Sequence, residues 1–84
     1  MRYHVKLRPK AEQELNSLSR KDYYRIVAAL INLANNPFVG KKLKGKYKDY
    51  CSLRIWPYRI IYQIYKKSLT VFVIRIGHRQ GIYK

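Results

Sequence analysis

Hydrophobic and polar residues alternate at the start of the chain and then recur at helical spacing. Residues 3–7, with the sequence YHVKL, alternate and predict a short first strand. Pro9 stands where a helix can begin. The apolar residues that follow it, at spacings of four and three, are Ala11, Leu15 and Leu18. Because residues at these spacings share one face of a helix, a short first helix is predicted.

A second helix is predicted after a capping signal. Ser19 followed by Asp22 resembles a capping box, in which the serine side chain satisfies a free N–H group of the first turn. An apolar stripe comes next and stops at the Asn-Asn-Pro sequence that ends at Pro37. The members of this stripe are Tyr23, Ile26, Val27, Leu30, Ile31 and Ala34. The two helices are expected to form a hairpin in which each buries one face.

Three β-branched and aromatic runs follow a loop rich in lysine. The loop is predicted to be solvated and carries Lys41, Lys42, Lys44, Lys46 and Lys48. The runs predict strands at 50–55, 58–65 and 69–77, and the polar turn KKS joins the last two as an antiparallel hairpin. The predicted order is β-α-α-β-β-β. This order indicates a single α+β domain over residues 1–84, with an antiparallel sheet packed on the helical hairpin.

Alternation with a period of two separates the faces of the strands near the middle of this sheet. The face expected to pack on the helices carries Tyr58, Ile60, Tyr62 and Ile64. Arg54 and Arg59 fall on the opposite face, where Arg79, just past the last strand, can reach the same region. A basic sheet surface edged by aromatic rings suits phosphates and unstacked bases.

The charge of the chain indicates the kind of partner. Its 84 residues include 19 Lys and Arg against 4 Asp and Glu, a formal charge of +15 at pH 7. Such a field attracts polyanions, of which nucleic acid is the commonest in the cytosol. A membrane surface is the rival, but the basic residues are spread along the chain rather than gathered on one amphipathic helix. Nucleic acid is therefore the expected partner.

The same composition bears on the compartment. Charged residues within the first ten positions leave no signal-peptide core, and no apolar run approaches the roughly 18 residues that span a bilayer. The one cysteine, Cys51, cannot form an internal disulfide and suits a reducing compartment. A cytoplasmic protein is expected, with Cys51 as a small buried residue.

The candidate chemistry is RNA cleavage without a metal. No cluster of carboxylates, no metal-ligand spacing and no glycine-rich phosphate loop is present in the sequence, so neither a metal nor another cofactor is expected. RNA supplies its own nucleophile, the 2′-hydroxyl, and the protein must supply a base, a cation and an acid. Residues able to divide these roles are Arg59, His78, Arg79 and Tyr83. The composition permits this chemistry without demonstrating it.

Three segments, KLKG, YRIIYQI and LTVFVIRIGHRQGIYK, in this order after two short helices, resemble the RelE branch of the RelE/ParE toxin superfamily. The resemblance implies a RelE-like fold and a type II toxin that cuts messenger RNA in the ribosomal A site and so inhibits translation. It also implies a cognate protein antitoxin, a toxin–antitoxin hetero-oligomer, and contact with small-subunit ribosomal RNA.

The resemblance also implies roles for individual residues. Arg59 matches the catalytic arginine of the third strand, and Arg79 matches the arginine that stabilises the cleaved phosphate. Tyr83 matches a C-terminal tyrosine that stacks on or activates the nucleotide being cut, and His78 is the candidate for proton transfer. Each has an ordinary alternative, since exposed arginines, a strand-end histidine and a packing tyrosine are all common.

One departure from the family leaves the general base open. The best-studied members carry two lysines on the second strand, where this chain has Tyr50 and Ser52. Arg54 and the lysines of the 41–48 loop can replace their electrostatic role by binding RNA. Two other functions stay open: a ParE-like inhibitor of DNA gyrase, and a nucleic-acid-binding module without chemistry.

Overall fold

The computed structural model of the chain describes residues 2–78. The helices are α1 (Pro9–Asn16) and α2 (Arg20–Asn35). The strands are β1 (His4–Leu7), β2 (Lys41–Lys42), β3 (Cys51–Ile55), β4 (Tyr58–Tyr65) and β5 (Thr70–His78). Two short 3₁₀ turns, Pro37–Val39 and Gly45–Tyr47, flank β2. The predicted α+β class is confirmed, and the long strands lie within a residue or so of their predicted bounds.

The sheet differs from the prediction in two respects. Its strand order is β1-β5-β4-β3-β2, and β1 runs parallel to β5, so the sheet is mixed rather than wholly antiparallel. The lysine loop contributes β2, a two-residue strand antiparallel to β3. The pairing of β1 with β5 joins opposite ends of the described chain. Alternation within one strand carries no information on so distant a partner.

The helices begin as the sequence indicates. Pro9 opens α1, and the hydroxyl of Ser19 accepts a hydrogen bond from the N–H of Asp22, at 3.3 Å, at the start of α2. The residues of α2 that are buried are Ile26, Ala29, Leu30, Leu33 and Ala34. Ile31, which was predicted to belong to the buried stripe, is instead 51% exposed. It lies one position beyond Leu30, past the edge of the face that meets the sheet.

The core lies between the helices and one face of the sheet. Its fully buried strand residues are Ile60, Tyr62, Val71, Val73 and Ile76. The Tyr62 hydroxyl donates to the Pro37 carbonyl at 2.8 Å and accepts from the Gly40 N–H at 3.0 Å, which attaches the segment before β2 to the core. Burial raises the pKa of Tyr62 to about 12.

A bulge in β5 sets the faces at the end of the sheet. Tyr62 pairs with Val73 and Ile61 with Arg75, so Ile74 is the extra residue. The bulge inverts the alternation, which is why Val73 and Ile76, three positions apart, are both in the core. Beyond the bulge, Gly77 stands opposite Arg59 and His78 stands opposite Tyr58.

Candidate nucleic-acid interface

The face of the sheet away from the core carries a basic depression. Arg54 and Arg59 are cross-strand partners, and Lys41 lies opposite Ser52 on the same face. The depression has a volume of about 350 Å³. Its lining consists of Val39, Gly40, Lys41, Ser52, Leu53, Arg54 and Arg59. Since three of these residues are cationic and none is acidic, the depression is suited to an anion.

Arg59 is the innermost cation of this depression. Its Nη1 donates to the Ser52 hydroxyl over a long 3.5 Å, and its Nε is buried without a hydrogen-bond partner among residues 2–78. A buried donor that is left unpaired costs free energy, so such groups call for an explanation. The planar guanidinium fork matches a phosphate, with which it forms two parallel charge-assisted hydrogen bonds. Arg59 thus has donor capacity that the fold does not use.

The predicted lysine loop divides between two surfaces. Lys41 belongs to the Arg59 depression, whereas Lys42 and Lys48 line a separate cavity of about 420 Å³. The other residues lining this second cavity are Phe38, Gly40, Asp49, Cys51, Ile64 and Lys66. Lys44 and Lys46 are exposed and line neither of the two. The five lysines therefore form a basic rim around β2 rather than one binding site.

His78 lies in a different environment, at the helix side of the sheet. Its ring meets the Tyr58 ring edge to face, with centroids 6.4 Å apart. The Tyr58 hydroxyl donates to an Asp22 carboxylate oxygen at 2.7 Å, and Arg25 donates to the other oxygen at 3.2 Å. The Tyr58 hydrogen bond, followed by Arg25, lowers the pKa of Asp22, and the same bond raises the pKa of Tyr58. The strand end is thus linked to the first turn of α2.

The register of β4 and β5 separates two of the predicted site residues. Arg59 and His78 were expected to act together, but their neighbours across the strands, Gly77 and Tyr58, show that they point to opposite faces. The bulge at Ile74 produces this result, and the sequence reasoning did not include it. Arg79 and Tyr83, the other two predicted catalytic residues, lie outside the described residues.

Other predictions on single residues met mixed outcomes. Cys51 is buried as expected, and burial raises the pKa of its thiol. Tyr62 belongs to the core, whereas Trp56, predicted to pack in the core or a turn, lies in the β3–β4 turn and is 56% exposed. Its carbonyl accepts from Arg25 at 2.7 Å. The contact of Ser52 with Arg59 was missed, since Ser52 was noted only as a departure from the family.

Comparison with known proteins assigns the family. A model described as the ParE toxin of type II toxin–antitoxin systems, parDE, matches residues 5–83. Toxin RelG of Mycobacterium tuberculosis is 32% identical over 90 residues, which cover 100% of this chain and 99% of RelG. The chain belongs to the RelE/ParE toxin superfamily.

Solved structures agree with that assignment. A chain of the crystal structure of the toxin–antitoxin complex RelBE2 from M. tuberculosis superposes with a TM-score of 0.88 at 28% identity, covering 94% of this toxin and 100% of that chain. A chain of the archaeal RelE–RelB complex from Pyrococcus horikoshii gives a TM-score of 0.80 at 25% identity, covering 96% and 99%. The predicted RelE-like fold is therefore confirmed.

Neither a cluster of metal ligands nor a membrane-spanning helix is seen in the described part of the chain. Within residues 2–78, no three His, Cys, Asp or Glu side chains gather as ligands of a metal ion would. None of the helices in the same range is both long and apolar enough to cross a membrane.

Proposed function

We propose that this toxin is an endoribonuclease that cuts messenger RNA in the ribosomal A site. The observation that carries the proposal is the guanidinium of Arg59, held in a basic depression with an unused buried donor, in a member of the RelE/ParE superfamily. The cations of the depression supply the positive charge that a scissile phosphate requires, and the RNA supplies the nucleophile.

The proposed reaction is an internal transfer of the phosphoryl group. The 2′-oxygen attacks phosphorus, the bond to the 5′-oxygen breaks, and a 2′,3′-cyclic phosphate and a 5′-hydroxyl result. Arg59 and Arg54 neutralise the charge that develops on the phosphate oxygens, which is the contribution expected of preorganised donors. One proton leaves the 2′-hydroxyl and one reaches the 5′-oxygen, so a base and an acid are required.

The remaining roles are proposed on the family resemblance. Arg79 and Tyr83, which follow the described residues, are proposed as the second phosphate ligand and the residue that stacks on the cut nucleotide. His78 is the proposed proton-transfer group, but its ring lies on the face opposite Arg59 and beside Tyr58. To exchange a proton with RNA bound at Arg59, the ring would have to reach past the end of the sheet to the other face. We therefore expect His78 to contribute less than Arg59.

Among residues 2–78, no carboxylate or imidazole lines the depression around Arg59, and the ribosome is proposed to compensate for this. Holding the RNA in line for attack can by itself supply roughly 7–11 kcal/mol of a barrier in favourable cases. The lysines around β2 are exposed and are proposed to contact ribosomal RNA phosphates. The toxin should consequently cut messenger RNA on translating ribosomes and leave free RNA largely intact.

A protein antitoxin is the second proposed partner. The similar chains from M. tuberculosis and P. horikoshii come from toxin–antitoxin complexes. With a formal charge of +15, this toxin is expected to bind an antitoxin that is acidic or amphipathic where it covers the basic surface. The two are expected to form a hetero-oligomer in the cytoplasm.

Cleavage mapping on translating ribosomes tests the proposed function. Purified toxin is added to a translation reaction and to the same messenger alone, and primer extension locates the cuts. We expect cuts at A-site codons in the first reaction, few in the second, and far fewer in the first reaction when Arg59→Ala replaces the wild type. Intact messenger on ribosomes treated with the wild-type toxin would contradict the proposal, as would equally fast cleavage of free RNA.

A second candidate is favoured by one observation, the match of residues 5–83 to the ParE toxin model. The ParE branch is represented by inhibitors of DNA gyrase. A supercoiling assay with purified gyrase distinguishes the two branches: inhibition of gyrase together with intact messenger would place the toxin with ParE. Binding of RNA without cleavage and without gyrase inhibition would indicate a module that lacks chemistry.

A further inference from the structure

Glu14, in the middle of α1, makes an unusual set of contacts with β5. Its two carboxylate oxygens accept from Nε of Arg75, both at 3.1 Å, and one accepts from Nη2 at 2.9 Å. Oε1, the oxygen that does not contact Nη2, also accepts from the backbone N–H of Ile76 at 2.9 Å. The Glu14 side chain is 19% exposed, and these hydrogen bonds offset the free-energy cost of burying its carboxylate.

The contacts of Glu14 fall at the β5 bulge. Arg75 and Ile76 directly follow Ile74, the extra residue. The pairing of β1 with β5 ends at Val73, and beyond that point the Glu14 carboxylate accepts from the N–H of Ile76, two positions after the extra residue. The Glu14 hydrogen bond also raises the pKa of Arg75, so the guanidinium stays charged.

The position of the bulge decides what stands beside Arg59. With the bulge at Ile74, Gly77 lies opposite Arg59 and leaves that face open. Without it, the pairing of Tyr62 with Val73 would continue evenly, and Ile76 would stand opposite Arg59 while Arg75 pointed into the core. A one-residue shift thus exchanges a glycine for an isoleucine at the guanidinium.

We infer that Glu14 is a positioning residue, whose carboxylate fixes the bulge of β5 and thereby keeps Gly77 opposite Arg59. A helix residue that does not line the depression then controls its shape. The effect on cleavage rests on the proposed function, whereas the effect on register does not. The burial of Ile76 favours the same register, so a variant must show whether that burial is sufficient without Glu14.

The register is read by NMR on the full-length toxin released from its antitoxin complex. In the wild type, cross-strand contacts are expected between Ile60 and Ile76 and between Tyr62 and Val73. In Glu14→Ala, the contact of Ile60 with Ile76 should be replaced by one with Arg75. Glu14→Gln, which keeps an oxygen for the Ile76 N–H, should retain the wild-type contacts. Retention of the Ile60–Ile76 contact in Glu14→Ala would overturn the inference.

Two control variants separate the contact of Glu14 with the Ile76 N–H from its ion pair with Arg75. Glu12→Ala removes an exposed acid of the same helix and should leave the register unchanged. Arg75→Met removes the ion pair but leaves the Ile76 N–H bonded to Glu14, so the register should again persist. A shifted register in Arg75→Met would show that the ion pair is the determinant and would overturn the role given to the amide contact. If Glu14→Ala does not fold, Glu14→Met, which keeps most of the side-chain volume but offers no oxygen to the Ile76 N–H, takes its place with the same expected shift of register.

Cleavage kinetics on translating ribosomes provide the functional readout. We expect Glu14→Ala to lower kcat on the order of 100-fold, the loss associated with misplacing a catalytic group by about 1 Å, with KM for ribosomes unchanged. Glu14→Gln should restore most of the rate. A shifted register with undiminished kcat would refute the positioning role. Absence of cleavage by the wild type would refute the proposed function alone, because the NMR contacts still report on Glu14.

Discussion

The arginines that meet the helices and the arginine of the open face are used in different ways. Arg25, on α2, and Arg75, on β5, are each bonded to a half-buried carboxylate of a helix, Asp22 and Glu14. On the open face, the only hydrogen bond of Arg59 to residues 2–78 is a long contact with Ser52. Two of the four acids of the chain thus pair with arginines that meet the helices, and none lines the depression around Arg59. The comparison distinguishes cations that stabilise the fold from cations that are available to a ligand.

Replacing one arginine from each face gives the largest expected difference. Arg59→Ala should lower cleavage on ribosomes by on the order of 10²–10³-fold, as loss of a preorganised donor does, and should leave the melting temperature nearly unchanged. Arg25→Ala should leave cleavage nearly unchanged and lower the melting temperature, because it loses the contacts with Asp22 and the Trp56 carbonyl. Similar cleavage rates in the two variants would remove the distinction between the faces.

A buried hydroxyl on the helix side provides a test of stability alone. Tyr62→Phe leaves the Pro37 carbonyl and the Gly40 N–H without their partner, at a cost of about 1–3 kcal/mol in the free energy of unfolding. Urea denaturation measures this cost. Tyr65→Phe, which removes an exposed hydroxyl bonded to Gln63 at 3.3 Å, is the matched control and should stay within about 0.5 kcal/mol. A loss in the free energy of unfolding as small for Tyr62→Phe as for Tyr65→Phe would show that the Tyr62 contacts contribute little.

His78 tests whether the two faces are separate in catalysis. General acids and bases typically contribute about 10²–10⁴-fold, so a loss below about ten-fold for His78→Ala is expected if the ring stays beside Tyr58. Single-turnover cleavage on ribosomes is the measurement. A loss as large as that of Arg59→Ala would mean that the imidazole reaches the phosphate from the opposite face.

The smallest expected effect concerns Asp22 and depends on pH. Its pKa in the folded toxin lies below the ordinary 3.8, chiefly because of the Tyr58 hydrogen bond, so its stabilisation is present above that value and is lost as the pH falls through the folded pKa. Asp22→Asn should therefore melt a few degrees below the wild type near neutral pH, and the difference should shrink in acid. Asp49→Asn, which removes an exposed carboxylate, is the control. A difference that persists unchanged at low pH would exclude the ionised Asp22 as its cause.

Local patterns were sufficient for the elements and for most of the faces. Alternation placed Tyr62 in the core and Arg54 with Arg59 on the open side, because each strand carries that information in its own sequence. The capping signal at Ser19 likewise marked the start of α2. These predictions concern residues that are close in the chain.

Contacts between distant segments could not be predicted in this way. No local pattern indicates that β1 lies parallel to β5, or that Glu14 meets Arg75 and Ile76, more than sixty positions later. A faint signal for the bulge existed, since the core residues Val73 and Ile76 are separated by three rather than two. The sequence analysis did not include the bulge, which decides the face on which His78 lies.

The sequence by itself determined the class of fold, the positive charge, the family resemblance and the location of Arg59 on an open face. Only the tertiary structure decided which cations are paired, what stands opposite Arg59, and on which face His78 lies. The physical reason is that periodicity is a property of one strand or helix, whereas register and ion pairing depend on which distant segments the folded chain brings into contact.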